Sequence, residues 1–138
     1  MKKSFFILAT LMSLVTLNIH AQCGGSTTHT TIPTSIGIVI YSNDEETVFN
    51  ALRFANFSKN QGDTVIIFLL GKGVELDNLV KKDTAIQNQT NNFLDGGTIL
   101  GCGTCLKSRN NLRPQFCKFS SMGDLYALVR KNKIVMTF

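Results

Sequence analysis

Ile36-Gly37-Ile38-Val39-Ile40-Tyr41 and Val65-Ile66-Ile67-Phe68-Leu69-Leu70 bracket the stretch on which the fold is decided. Both are near-continuous runs of β-branched and large apolar residues. A strand with one wet face would alternate, so each run predicts a strand buried on both sides of a parallel sheet. Between them Val48, Phe49, Leu52, Ala55 and Phe57 recur at helical spacing, with Phe54 widening the stripe. Ser42 with Glu45, or Asn43 with Glu46, offers a capping box at the start of this helix, and Gln61-Gly62 offers a left-handed stop. Strand, helix, strand of this composition is a right-handed βαβ unit.

Downstream, Gly71-Lys72-Gly73 lacks both the glycine spacing and the following Ser or Thr of a phosphate loop, so no nucleotide site is expected there. Val74 to Leu79 reads as a short helix or turn. Asp83 to Leu94 reads as a helix with Ala85, Ile86, Thr90, Phe93 and Leu94 on its apolar side and amides outward. Gly96-Gly97 leads into a third strand, Thr98 to Leu100. An amphipathic piece follows Cys105, and Pro114 argues for a break. Ser121 with Asp124 caps a helix carrying Met122, Leu125, Tyr126, Leu128 and Val129, and Ile134 to Phe138 closes the chain as a strand. About four strands with four or five helices, and no internal repeat, make an α/β layered domain.

The first residues carry a different message. Met1-Lys2-Lys3 followed by the apolar run Ser4 to Val15 and by His20-Ala21-Gln22-Cys23 has the layout of a secretory signal peptide cut after Ala21. An uncleaved membrane anchor and a lipid-modified Cys23 are the alternatives. The expected organisation is therefore a signal peptide over 1–21, a flexible Gly-, Ser- and Thr-rich lead over 22–35 that includes His29, and one domain over 36–138. Composition is ordinary for a globular chain of 138 residues, with 43% hydrophobic and 17% charged. Loss of Lys2 and Lys3 takes the formal charge from +5 to +3. The remaining cations are scattered, which argues against a nucleic-acid partner. No second apolar run reaches membrane-spanning length, so the mature form is expected to be soluble.

Four cysteines, Cys23, Cys102, Cys105 and Cys117, survive that cut. Gly101-Cys102-Gly103-Thr104-Cys105 places a Cys-x-x-Cys pair where the third strand gives way to a helix start. Reactive groups of open α/β sheets gather at the carboxyl ends of strands, and helix-terminal amides favour a thiolate. Lys107 and Arg109 add positive charge in sequence, and Asn43 and Asp44 share the same sheet edge if the strands are parallel. The chemistry this favours is attack by a thiolate on a sulfane or disulfide sulfur. A structural Cys102–Cys105 disulfide, a buried inert pair, and a metal site completed by Cys23 and Cys117 remain open readings. No metal or cofactor is expected, since one such pair supplies two of the usual four ligands.

From Ile36 to Phe138 the chain resembles the DsrE/DsrF-like sulfur-relay family. The resemblance is carried by Ile38-Val39-Ile40-Tyr41-Ser42-Asn43, by the strand into Cys102 with Leu106 and Arg109 after it, and by Ser121-Met122-Gly123-Asp124-Leu125 with the final strand Ile134 to Phe138. It implies a three-layer, flavodoxin-like fold with a mostly parallel sheet and helices on both faces, assembling as a homotrimer or larger. It implies further that Cys102 receives persulfide sulfur from a donor protein or small sulfur compound and passes it to an acceptor. Cys105 stands where relay members often have a small residue, so it looks like a resolving thiol or a variant feature, and Asn110 stands where they often have glycine. The expected function is a periplasmic or secreted sulfur carrier. A non-catalytic homo-oligomeric binding domain with a Cys102–Cys105 disulfide and a thiol–disulfide oxidoreductase are the alternatives.

Overall fold

A computed structural model of the chain describes residues 32–138. The two apolar runs form β1 (Ser35–Ile40) and β2 (Thr64–Leu69), paired in parallel from Ser35 opposite Thr64 to Ile40 opposite Leu69. The helix between them is α1 (Glu45–Asn60). β2 runs into a 3-10 turn (Gly71–Glu75), then α2 (Leu76–Lys82) and α3 (Thr84–Leu94), before β3 (Thr98–Cys102). The rest of the chain forms α4 (Gly103–Lys107), β4 (Lys118–Ser120), α5 (Met122–Lys131) and β5 (Ile134–Thr137). Among the described residues the sheet has five strands, all parallel, in the order β4-β3-β2-β1-β5.

This is a three-layer α/β domain of flavodoxin-like architecture, though its strand order is not the 2-1-3-4-5 of flavodoxin itself. From β1 to β4 every connection steps one strand in the same direction, and only β5 returns, to pair beside β1. Right-handed crossovers then put α1, α2 and α3 on one face and α5 on the other. The side chains agree. Gly37 faces α5, and the space a side chain would need there is filled by Leu128. Ile38, Ile40, Ile67, Leu69 and Ile99 alternate to the opposite face and are almost completely buried, as are Val48, Ala51, Leu52 and Ala55 of α1 and Ile86 and Phe93 of α3.

The two faces are covered unequally. α5 buries only Leu128, while Met122 and Tyr126 are 64% and 67% exposed and Val129, Ile134 and Val135 are also open. None of the described helices is long and apolar enough to cross a membrane.

Several local expectations need correction. β4 is a fifth strand that no pattern announced: Lys118-Phe119-Ser120 is too short to show a period and exists through its pairing with Leu100, Gly101 and Cys102. β3 runs two residues past Leu100, so Cys102 lies inside the strand. Neither anticipated capping box starts α1. Asp44 is the cap, accepting from the Thr47 N–H at 2.8 Å, and Ser42 Oγ accepts from the Asp44 N–H. The box at α5 does form, with Ser121 and Asp124 bonding reciprocally. Ser35, assigned above to the lead, already belongs to β1. The expected signal peptide, Cys23 and His29 lie outside the described residues.

Candidate functional site

Cys102 is the last residue of β3 and at the same time the cap of α4. Its Sγ takes the place usually held by a serine or aspartate oxygen, accepting the Cys105 N–H at 3.4 Å. One turn of helix therefore brings the two sulfurs of the pair together. Cys102 is only 7% exposed, whereas Cys105 is half-buried, and both are free thiols. The Cys105 carbonyl is held in turn by Ser108 Oγ at 2.9 Å and by Arg109 Nη1 at 3.3 Å.

The 3-10 turn that leaves β2 forms the wall beside this pair. Gly73 lies so close to the Ile40 carbonyl that any side chain would collide with it. The Gly-Lys-Gly stretch is thus a device for bringing backbone across the end of β1. It delivers Glu75, whose carboxylate is bridged by two partners: Arg109 Nε donates to Oε1 at 2.8 Å, and Asn43 Nδ2 to Oε2 at 2.9 Å. Those bonds lower the Glu75 pKa, the Arg109 bond most. Burial, first, and then the hydrogen bond with Cys102 push the Cys105 thiol up, while the Gly71 backbone N–H and Arg109 pull it down.

Of the residues singled out by sequence, Cys102, Cys105 and Arg109 meet here. Asn43 joins them through Glu75, Asp44 serves only as a helix cap, and Lys107 lies on the other side of α4. There it lines an open cleft of about 410 Å3 with Gly103, Thr104, Phe119, Ser120 and Asp124. Asn110 adopts φ +56°, a left-handed conformation that glycine takes freely and asparagine tolerates. This accounts physically for either residue at that point.

Sequence reasoning missed Glu75, Asp77 and the role of Cys117. The Cys117 sulfur packs over Gly101, in the space a Cβ there would need. Burial, with the Asp77 charge adding to it, pushes its thiol up to about 12, so it is a packing group held protonated. Asp77 is a buried carboxylate that accepts from Asn111 Nδ2 at 3.0 Å, the Gln115 N–H at 3.0 Å and the Phe116 N–H at 3.4 Å. It clamps the loop that carries Cys117 back to β4. The available signal was Gly101 itself, a small residue in a strand that something else must fill. Among the described residues no three His, Cys, Asp or Glu side chains gather as a metal site.

No protein-family model and no curated protein matches this chain. Among solved structures it is similar to a conserved protein of unknown function from Bacteroides thetaiotaomicron, with 25% identity and a TM-score of 0.64. The match covers 76% of this chain and 95% of that one. That likeness supports the three-layer α/β fold and attaches no activity to the cysteine pair.

Proposed function

We propose that this protein is a sulfur carrier of the DsrE/DsrF-like kind, holding a persulfide on Cys102. The observation that carries the reading is the pairing of two free thiols at the carboxyl end of β3, with the Cys105 N–H directed at Cys102 Sγ. The thiolate is the nucleophilic form of a cysteine. In the charging step the Cys102 thiolate attacks the outer sulfur of a donor persulfide. The donor S–S bond breaks, the donor leaves as a thiolate, and Cys102 carries the sulfane sulfur with no net change of oxidation state. Attack on that sulfur by an acceptor thiolate discharges it.

Cys105 gives a second exit. Its thiolate attacks the Cys102 sulfur, releasing hydrosulfide and leaving a Cys102–Cys105 disulfide, which two external thiols (or one dithiol) reduce back to the free pair, themselves leaving as a disulfide. The low exposure of Cys102 suits storage, since it limits access by bulk thiols. The basic and apolar start of the chain supports export as the setting. The uncovered face of α5, with Met122, Tyr126 and Val129, supports self-assembly into a homotrimer or larger.

The reduced protein, incubated with glutathione persulfide and weighed intact, should gain about 32 Da, the mass of one sulfur atom. The gain should vanish in Cys102→Ser. Absence of both an adduct and a newly formed Cys102–Cys105 disulfide, or an adduct that persists in Cys102→Ser, sinks the reading. If the pair is instead a fixed structural disulfide, no thiol of the pair will titrate until the protein is unfolded.

A further inference from the structure

We infer that the Glu75–Arg109 ion pair is a positioning device for the thiol site: Arg109 supplies positive charge to Cys105, and Glu75 limits it. The inference rests on the reading of Cys102 and Cys105 as the working pair, but it needs no persulfide to be tested. Three geometric facts carry it. Arg109 Nε and Glu75 Oε1 are 2.8 Å apart. Arg109 Nη1 reaches the Cys105 carbonyl at 3.3 Å and Ser108 Oγ at 3.3 Å, so the guanidinium has anchors on the cysteine helix besides its anion. Asn43 Nδ2 fixes the other Glu75 oxygen at 2.9 Å, so the carboxylate is tethered to the end of β1. The pair thus joins three segments that sequence leaves far apart: the β1–α1 turn, the 3-10 turn and α4.

Few other charges face this end. Lys72, on the same turn as Glu75, acts on that carboxylate. The neighbouring Cys102 sulfur, when ionised, opposes a second thiolate at Cys105, and the Gly71 N–H favours one. Asp77 acts on Cys117. Arg109 acts on the Cys105 sulfur itself, and Glu75 reaches that sulfur only through the cation it pairs with, so the inference requires the two substitutions to act in opposite directions. Removing the carboxylate while Arg109 keeps its other two acceptors leaves a cation unneutralised beside Cys105. Removing the guanidinium leaves an unmatched carboxylate.

The test is the pH dependence of iodoacetamide alkylation, read at Cys105 by peptide mapping of the full chain. In Glu75→Gln the midpoint should fall by about half a pH unit, raising the rate below the midpoint about threefold. In Arg109→Gln it should rise by a similar amount, and Arg109→Lys, which keeps the charge, should bring it back toward the parent. A merely structural ion pair would lower the melting temperature in both variants and leave the midpoints alone. Midpoints that stay fixed, or that move in the same direction, overturn the inference, as does a Cys105 that resists alkylation at every pH. Should one variant fail to fold, the shift in the other decides by its sign. None of these readouts depends on sulfur loading, so failure here and failure of the carrier reading are distinguishable.

Discussion

Substituting Gly101 by alanine tests how the cysteine site is packed, because the structure says what the new methyl would meet. It would fall 2.6 Å from Cys117 Sγ and 3.1 Å from Leu106 Cδ1. Non-bonded carbon contacts settle at about 3.5–4.0 Å, so the Cys117 sulfur would have to retreat by roughly 1 Å. Its loop is tied down at Gln115 and Phe116 by Asp77, which resists that movement. The expected cost of Gly101→Ala is about 1–3 kcal/mol, the usual range for overpacking a core. Cys117→Ala alone should cost about 1 kcal/mol, as for removal of one small buried group. In the double variant the added methyl occupies the space the sulfur vacates, so the total should stay near that of Cys117→Ala. The favourable coupling would be about 1–3 kcal/mol, equal to the cost of Gly101→Ala alone. Urea unfolding followed by circular dichroism measures all four corners of this cycle. A double variant whose loss equals the sum of the single losses within about 0.5 kcal/mol would refute the packing account. Because Gly101 directly precedes Cys102, persulfide loading should follow the same order, weakened in Gly101→Ala and recovered in the double.

Asp77→Ala should cost about 2–4 kcal/mol in the same unfolding assay, because two backbone N–H groups and the Asn111 amide lose their acceptor. Asp77→Asn should bring the alkylation midpoint of Cys117 down from about 12, since one of its two causes is the Asp77 charge. Leu128→Ala removes the one fully buried side chain of α5, and a loss of about 2–5 kcal/mol is expected, with early unfolding of α5 visible in hydrogen exchange. Glu75 has a folded-state pKa below its ordinary value of 4.5, so its contribution is present above that value and is lost as pH falls through the lowered one. Melting curves between pH 3 and 6 (about the range in which carboxylates titrate) should therefore show a shallower acid decline for Glu75→Gln than for the parent.

The α/β class was legible because burial on both faces leaves its mark on each strand separately. Ile36 to Tyr41 and Val65 to Leu70 could be read without knowing their partners, and the helix between them showed its own period. The last helix was equally legible, since Ser121 and Asp124 cap it within four residues. β4 was not, because three residues carry no period and only its neighbour β3 makes it a strand. The cap of α1 was misplaced for a related reason: Ser42, Asn43 and Asp44 are all competent, and the choice followed when Glu75 engaged Asn43 from another segment.

At the site, Cys102 and Cys105 could be named from sequence because three residues of separation become one turn of helix, a purely local relation. Sequence by itself thus determined the βαβ frame and the thiol pair at a strand end. Only the tertiary structure decided what surrounds the pair. Glu75 is 34 residues from Arg109, Asp77 is 38 from Gln115, and Cys117 fills the space above Gly101 from another strand connection. Such contacts arise when the sheet sets separate connections side by side at one edge. No residue spacing along the chain encodes them, because each partner's local signal is satisfied equally well without the other.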